Sequence, residues 1–294
     1  MTTPPPPTRI LAATDLRPES DEALQQALSI SGGRHRVAIC HVLPRVDAIR
    51  PLFPQLHIEE GLAAAELEAF AREELDRCLA RVGSPDVDVF MEHGAPSVCI
   101  VERAKAWRAD LIVVGTPRST SRTSRTAESV VRTATAPVLM ARPSGRGPVV
   151  AACDLGDASQ PALAMAAAQA RALGKGLVAL HAIDATRELA WLGALSRFSE
   201  LARDSYENKL ASRMEEAKTL LQSAVAAVAP DGLVDVQLGG AAEVICRRAG
   251  DLDASLVVVA TRGRTGFDYA LVGSVAEGVF ERAPCSVLAV RDQA

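Results

Sequence analysis

The sequence predicts an α/β protein of two repeated, doubly wound domains, each a five-stranded parallel sheet flanked by helices. Three observations predict it. The 294-residue chain states the same pattern twice, which is the first thing to look for in any sequence. Continuous apolar runs such as LIVVG (111–115) and SLVVVA (255–260) are the mark of parallel strands covered on both faces. Those runs alternate with helix-forming segments, so the strands must be joined by helical crossovers.

RILAATDLRPESDEALQQAL (9–28) is echoed by VVAACDLGDASQPALAMAA (149–167), so Asp15 matches Asp154. Ser20 matches Ser159, each expected to cap the helix that follows. RVAICHVLP (36–44) pairs with GLVALHAID (176–184), two β-rich runs that carry His41 and His181. A shared packing role is the reading for these equivalent histidines. The spans 45–82 and 185–222, the latter with Trp191 and Phe198, read as extended amphipathic helices. VDVFMEHGAPSVCIVERAKAWRADLIVVG (87–115) pairs with VDVQLGGAAEVICRRAGDLDASLVVVA (234–260). Each half closes on an apolar strand, PVLMA or SVLAV, and such edges need covering.

The expected domains are therefore 9–142 and 149–294, with 1–8 a disordered proline-rich tail. Residues 143–148 have the Pro, Gly and Ser content of an exposed linker. Ser31-Gly32-Gly33 reads as a helix stop.

Composition excludes several classes. A net charge of −4 and 3% aromatic residues argue against nucleic-acid binding, which calls for a basic footprint and stacking platforms. The six cysteines are scattered without a CxxC pair, and His57 and His93 lack partners at metal-ligand spacing, so no metal site is expected. The N-terminus lacks the apolar segment of a signal peptide, and no run is long enough to span a bilayer. The expectation is a soluble cytoplasmic protein without membrane partners.

The chemistry gathers at VVVATRGRTGFDYALVGSVAEGVF (257–280), where a strand runs into a cationic loop punctuated by glycine. Glycine permits close backbone approach, and a helix N-terminus attracts anions, so the stretch reads as a phosphate cradle. In a doubly wound sheet, ligands bind beyond the strand ends where the winding reverses. Asp154 follows the first strand of its half and the cradle follows the fourth. A dinucleotide dehydrogenase is excluded because its glycines would follow the first strand.

On these residues the chain resembles the universal stress protein family in its tandem two-domain form, over nearly its whole length past the proline tail. ATP-binding members of that family carry Gly-x2-Gly-x9-Gly-Ser/Thr. Here the frame is Ala260-x2-Gly263-x9-Gly273-Ser274, with alanine replacing the first glycine. The resemblance implies an ATP site in the C-terminal half. Ala152, Cys153 and Asp154 would lie at the adenosine end, with Ala182 against the adenine. The loop from Thr261 to Gly266, which follows Ala260 and includes Gly263, would wrap the phosphates, with Arg262 and Arg264 adding charge at the rim. Gly273, Ser274 and Val275 would supply backbone donors, and the Ser274 hydroxyl would reach the terminal phosphate. Mg2+ is compatible with this arrangement, though no acidic pair in the loop demands it.

The N-terminal counterpart GTPRSTSRTSRTAES (115–129) is four residues shorter between Gly115 and Glu128 than Ala260 to Glu277. Ser124 and Arg125 stand where Gly-Ser should be. This half is read as having lost the cradle, which leaves one site per chain. Its basic Arg118–Arg125 run is read as a solvated loop, with an anion, partner or phosphorylation site as the alternative.

The implied function is that of an ATP-binding stress sensor or regulatory module with an unidentified protein partner. Its halves would form an internal pseudo-dimer, and a homodimer remains open. The alternatives are a slow ATPase or self-phosphorylating enzyme, and a scaffold that binds no nucleotide. No general base stands beside Ser274 in the sequence.

Overall fold

The computed structural model describes residues 7–17, 20–31, 36–44, 60–83, 87–116, 124–185, 200–261 and 272–291. The chain divides into two compact units, Pro7–Pro143 and Ser144 onward.

In the first unit the strands are β1 (Arg9–Thr14), β2 (Arg36–Leu43), β3 (Asp88–His93), β4 (Leu111–Gly115) and β5 (Val138–Ala141). They lie in the order β3-β2-β1-β4-β5, and the described pairings are parallel. The helices are α1 (Asp21–Ser31), α2 (Glu60–Val82), α3 (Pro96–Trp107) and α4 (Arg125–Thr133). Asp21 and Glu22 open α1, where acidic side chains complement the helix dipole, and Ala23, Leu24 and Ala27 form its buried stripe.

The second unit repeats the plan with β6 (Val149–Ala152), β7 (Leu177–Ile183), β8 (Leu233–Leu238), β9 (Leu256–Ala260) and β10 (Val287–Val290). Their order is β8-β7-β6-β9-β10, again parallel. Its helices are α5 (Gln160–Leu173), α6 (Glu200–Ala226), α7 (Ala241–Asp251) and α8 (Ser274–Arg282). The α/β expectation is met: the central strands carry the continuous buried runs read from the sequence. α2 falls within the predicted helical span 45–82, and α6 overlaps the span 185–222 but runs four residues past it, to Ala226; Trp191 and Phe198 lie outside the described residues.

Three local expectations are corrected. Ser159 stands at the N-cap position of α5 but does not cap it; a 3-10 turn, Asp157–Ser159, precedes the helix and the hydroxyl donates to Gly156 O at 2.9 Å. Ser20 likewise spends its hydroxyl on Asp15 Oδ1, at 2.5 Å. The expected tail ends earlier than predicted. Thr8 donates from its amide and hydroxyl to Asp110 Oδ2, and residues 1–6 lie outside the described set.

The linker is the third correction. Gly145 N–H donates to Ala254 O at 3.2 Å and Gly147 N–H to Asp253 O at 2.7 Å. Arg146 N–H donates to the Asp253 carboxylate. The segment is docked on the turn between α7 and β9, and its glycines serve close approach rather than freedom. Among the described residues no helix is long and apolar enough to cross a membrane.

Candidate functional site

The second unit reverses its winding at β6, which lies between β7 and β9. The register Ala151↔Val258 and Ala152↔Leu180, continued by two or three residues, brings Asp154 level with Ala182 and with Thr261. Residues read from three distant stretches of sequence thus meet at the carboxyl ends of three adjacent strands, the usual ligand position in this architecture.

Past β6 the chain makes a sharp turn. Asp154 Oδ1 accepts from Gly156 N–H at 2.9 Å, and Leu155 between them has φ 62°. A bulky residue in the left-handed region is a strained choice that persists only where its surroundings impose it. The first unit repeats the device: Asp15 Oδ1 accepts from Arg17 N–H, and Leu16 has φ 65°. The doubled Asp-Leu dipeptide was visible in the sequence, but leucine gives no signal for a left-handed turn.

The histidines complete this corner. His181 Nδ1 lies 2.8 Å from Cys153 O, and His41 Nδ1 lies 2.9 Å from Thr14 O. A carbonyl only accepts, so Nδ1 carries the proton in both rings. Each imidazole ties the second strand of its half to the exit of the first, consistent with the packing role expected of them. Cys153 is held again by its amide, which donates to Leu180 O. Its buried thiol is pushed up to about 12, by burial first and then by the charge of Asp154. Cys153 therefore offers main chain, not a nucleophile.

Ala260 is the last residue of β9, paired with Val290. Strand backbone there accepts alanine without strain. Thr261 O accepts from Gly273 N–H at 2.9 Å, which closes the neck of the loop between β9 and α8. Arg262, Gly263, Arg264 and Gly266 lie outside the described residues. Gly273 is the N-cap of α8, with φ −67° and ψ 146°, and as a glycine it brings no side-chain cap of its own. Ser274 and Val275 are exposed in its first turn. The open amides and the dipole of a helix start favour negative charge.

The corresponding corner of the first unit differs. Ser124 is the N-cap of α4, with φ −64° and ψ 120°, and its hydroxyl accepts from Ala127 N–H. One of the helix's open donors is thereby occupied. A cavity of about 150 Å³ remains at these strand ends, lined among others by Asp15, Ser20, Cys40, Val42, Gly115 and Ser124. Burial, reinforced by Glu92, pushes the Cys40 thiol up to about 12. Residues 118–123 of the basic run lie outside the described set.

Residues 7–142 and 145–291 each match the Universal stress protein family. A universal stress protein of Thermus aquaticus, from the 3' region of a QAH/OAS sulfhydrylase, is 30% identical over 145 residues, covering 49% of this chain and 97% of its own. Universal stress protein Sll1388 of Synechocystis is 35% identical over 97 residues, covering 32% of this chain and 60% of its own, so the match spans less than two thirds of that relative. Among solved structures, a universal stress protein from Archaeoglobus fulgidus covers 97% of this chain and 98% of its own at 17% identity, with a TM-score of 0.67, a likeness of fold. With both halves matched, the chain belongs to the universal stress protein family.

Proposed function

We propose that the C-terminal unit binds ATP, one molecule per chain, and acts as a nucleotide-dependent regulatory module in a stress response. One observation carries the reading: α8 starts at an N-cap glycine without a side-chain cap, whereas its counterpart α4 is capped by Ser124. A phosphate is the natural partner of such a helix start, because the open amides and the dipole both favour an anion. Asp154 and Ala182, level with the neck of the loop, would lie at the adenosine end. Binding at the phosphate end would change the surface offered to a protein partner.

The test begins with the purified full-length chain. Denaturation and mass spectrometry identify any nucleotide carried through purification, and calorimetric titration with ATP, with and without Mg2+, gives the stoichiometry. The expected result is one equivalent of ATP per chain, with binding abolished in Gly273→Val. Absence of both co-purified nucleotide and binding heat would overturn the nucleotide reading; two equivalent sites would overturn the assignment to one unit.

A further inference from the structure

We propose that the Thr261 hydroxyl is a phosphate-contacting group of the C-terminal site. The inference rests on the reading that this unit binds a phosphate-bearing nucleotide, and it adds a residue that the glycine frame does not single out. Thr261 is only 3% exposed, and among the described residues its Oγ1 is the one buried side-chain oxygen or nitrogen without a hydrogen-bond partner. Its main chain is fully engaged: the amide donates to Val290 O and the carbonyl accepts from Gly273 N–H, both at 2.9 Å. That second bond holds Thr261 against the N-cap of α8, beside the amides that favour an anion.

The repeat supplies an internal control. Thr116 occupies the equivalent place in the first unit, one residue past β4, with its amide donating to Ala141 O. Its hydroxyl also donates to Ala141 O, at 3.0 Å, and accepts from Arg142 Nε at 3.1 Å. Val290 O offers Thr261 the same kind of acceptor, yet the Thr261 hydroxyl does not take it. A buried hydroxyl without a partner is destabilising, and an isosteric apolar residue is the better choice for folding alone. Two independent features of one corner, a helix start with a glycine N-cap and an unmatched buried donor, carry the proposal.

The experiment uses Thr261→Val, Thr261→Ser and Thr116→Val in the full chain, with ATP, AMP and adenosine as probes. Without ligand, Thr261→Val is expected to melt at or a few degrees above wild type, and Thr116→Val a few degrees below it. Thr261→Val should weaken ATP and AMP about tenfold, a charged hydrogen bond's worth, and leave adenosine unchanged; Thr261→Ser should restore binding. A Thr261→Val protein that melts low, as Thr116→Val does, overturns the proposal. So does one that binds ATP like wild type, or loses adenosine as much as ATP. If wild type binds no phosphate-bearing probe, the nucleotide reading falls together with this one; an unaltered Thr261→Val beside a binding wild type sinks this inference alone.

Discussion

Gly147→Ala is expected to destabilise the C-terminal unit far more than an exposed linker could allow. A Cβ built on Gly147 would stand 2.0 Å from Leu252 O and 2.8 Å from Asp253 O. Both are backbone atoms, so no rotamer change relieves the overlap. The segment must withdraw by more than an ångström, which breaks the 2.7 Å bond from Gly147 N–H to Asp253 O. Loss of that bond costs about 1 kcal/mol, and the distortion of a close-packed contact about 1–3 kcal/mol more. For a unit of this size, the sum corresponds to a fall in Tm of roughly 5–15 °C.

Gly250→Ala is the matched control in the same unit. Gly250 lies near the end of α7, and its Cβ would meet only Pro284 Cγ, at 3.9 Å. Removing a helical glycine is expected to raise stability by about 0.5 kcal/mol. Differential scanning calorimetry of the full chain should therefore show shifts of opposite sign for one chemical change. A Gly147→Ala protein that melts within 1 °C of wild type would refute the docked segment and return 143–148 to a free linker.

Gly273→Ser should transplant the Ser124 cap, since the two N-cap backbones already agree; the ligand-free protein gains a few tenths of a kcal/mol, while calorimetry shows ATP bound at least tenfold more weakly. Unchanged affinity would detach the site from the helix start. Burial alone would raise the pKa values of Asp21 and Asp110, but the first is outweighed by hydrogen bonds from Arg81 and Cys78 and the second by those from Thr8 and Arg9, so both fall below the ordinary value. Their stabilisation is complete above the unfolded pKa, about 3.9, and is lost as pH falls through the lowered folded-state values. Urea midpoints should drop below about pH 4, and Asp110→Asn should flatten that slope; an equal slope would refute the assignment. Finally, burial first and a neighbouring carboxylate second push the Cys40, Cys78 and Cys153 thiols up to about 12. Iodoacetamide on the native protein should label the half-exposed Cys99 and Cys246 first, read by peptide mass mapping, and early labelling of Cys40 would contradict the packing.

The strands were legible because a buried parallel strand needs an uninterrupted apolar run, and LVVVA has no other comfortable place to go. The repeat then tied Asp154 to Asp15 and the corner of the site could be assembled on paper. What composition hid was the use of each small residue. Glycine and proline at 143–148 look alike whether the chain swings free or presses against Asp253. Serine at 20 and 159 is a capping residue by propensity, but a carboxylate or carbonyl closer at hand took each hydroxyl. Leu16 and Leu155 adopt a conformation that leucine disfavours, imposed by the neighbouring carboxylates, and no single-residue preference reveals it.

The two halves also differ at the residues on which the proposed function turns. The Asp-Leu turn and the histidine clamp occur in both units with the same partners in kind, so they are requirements of the corner itself. Asp154 alone therefore cannot explain why one half would bind a nucleotide and the other not. The differences lie on the other side of the switch point: glycine against serine at the helix start, and an unmatched against a doubly bonded threonine at the strand exit. In the first unit those residues satisfy the protein's own donors and acceptors; in the second they leave hydrogen-bonding capacity that the proposed ligand would use. Binding specificity between the halves should thus follow Gly273 and Thr261, while substitutions at Asp154 should disturb the turn and report on stability before they report on affinity.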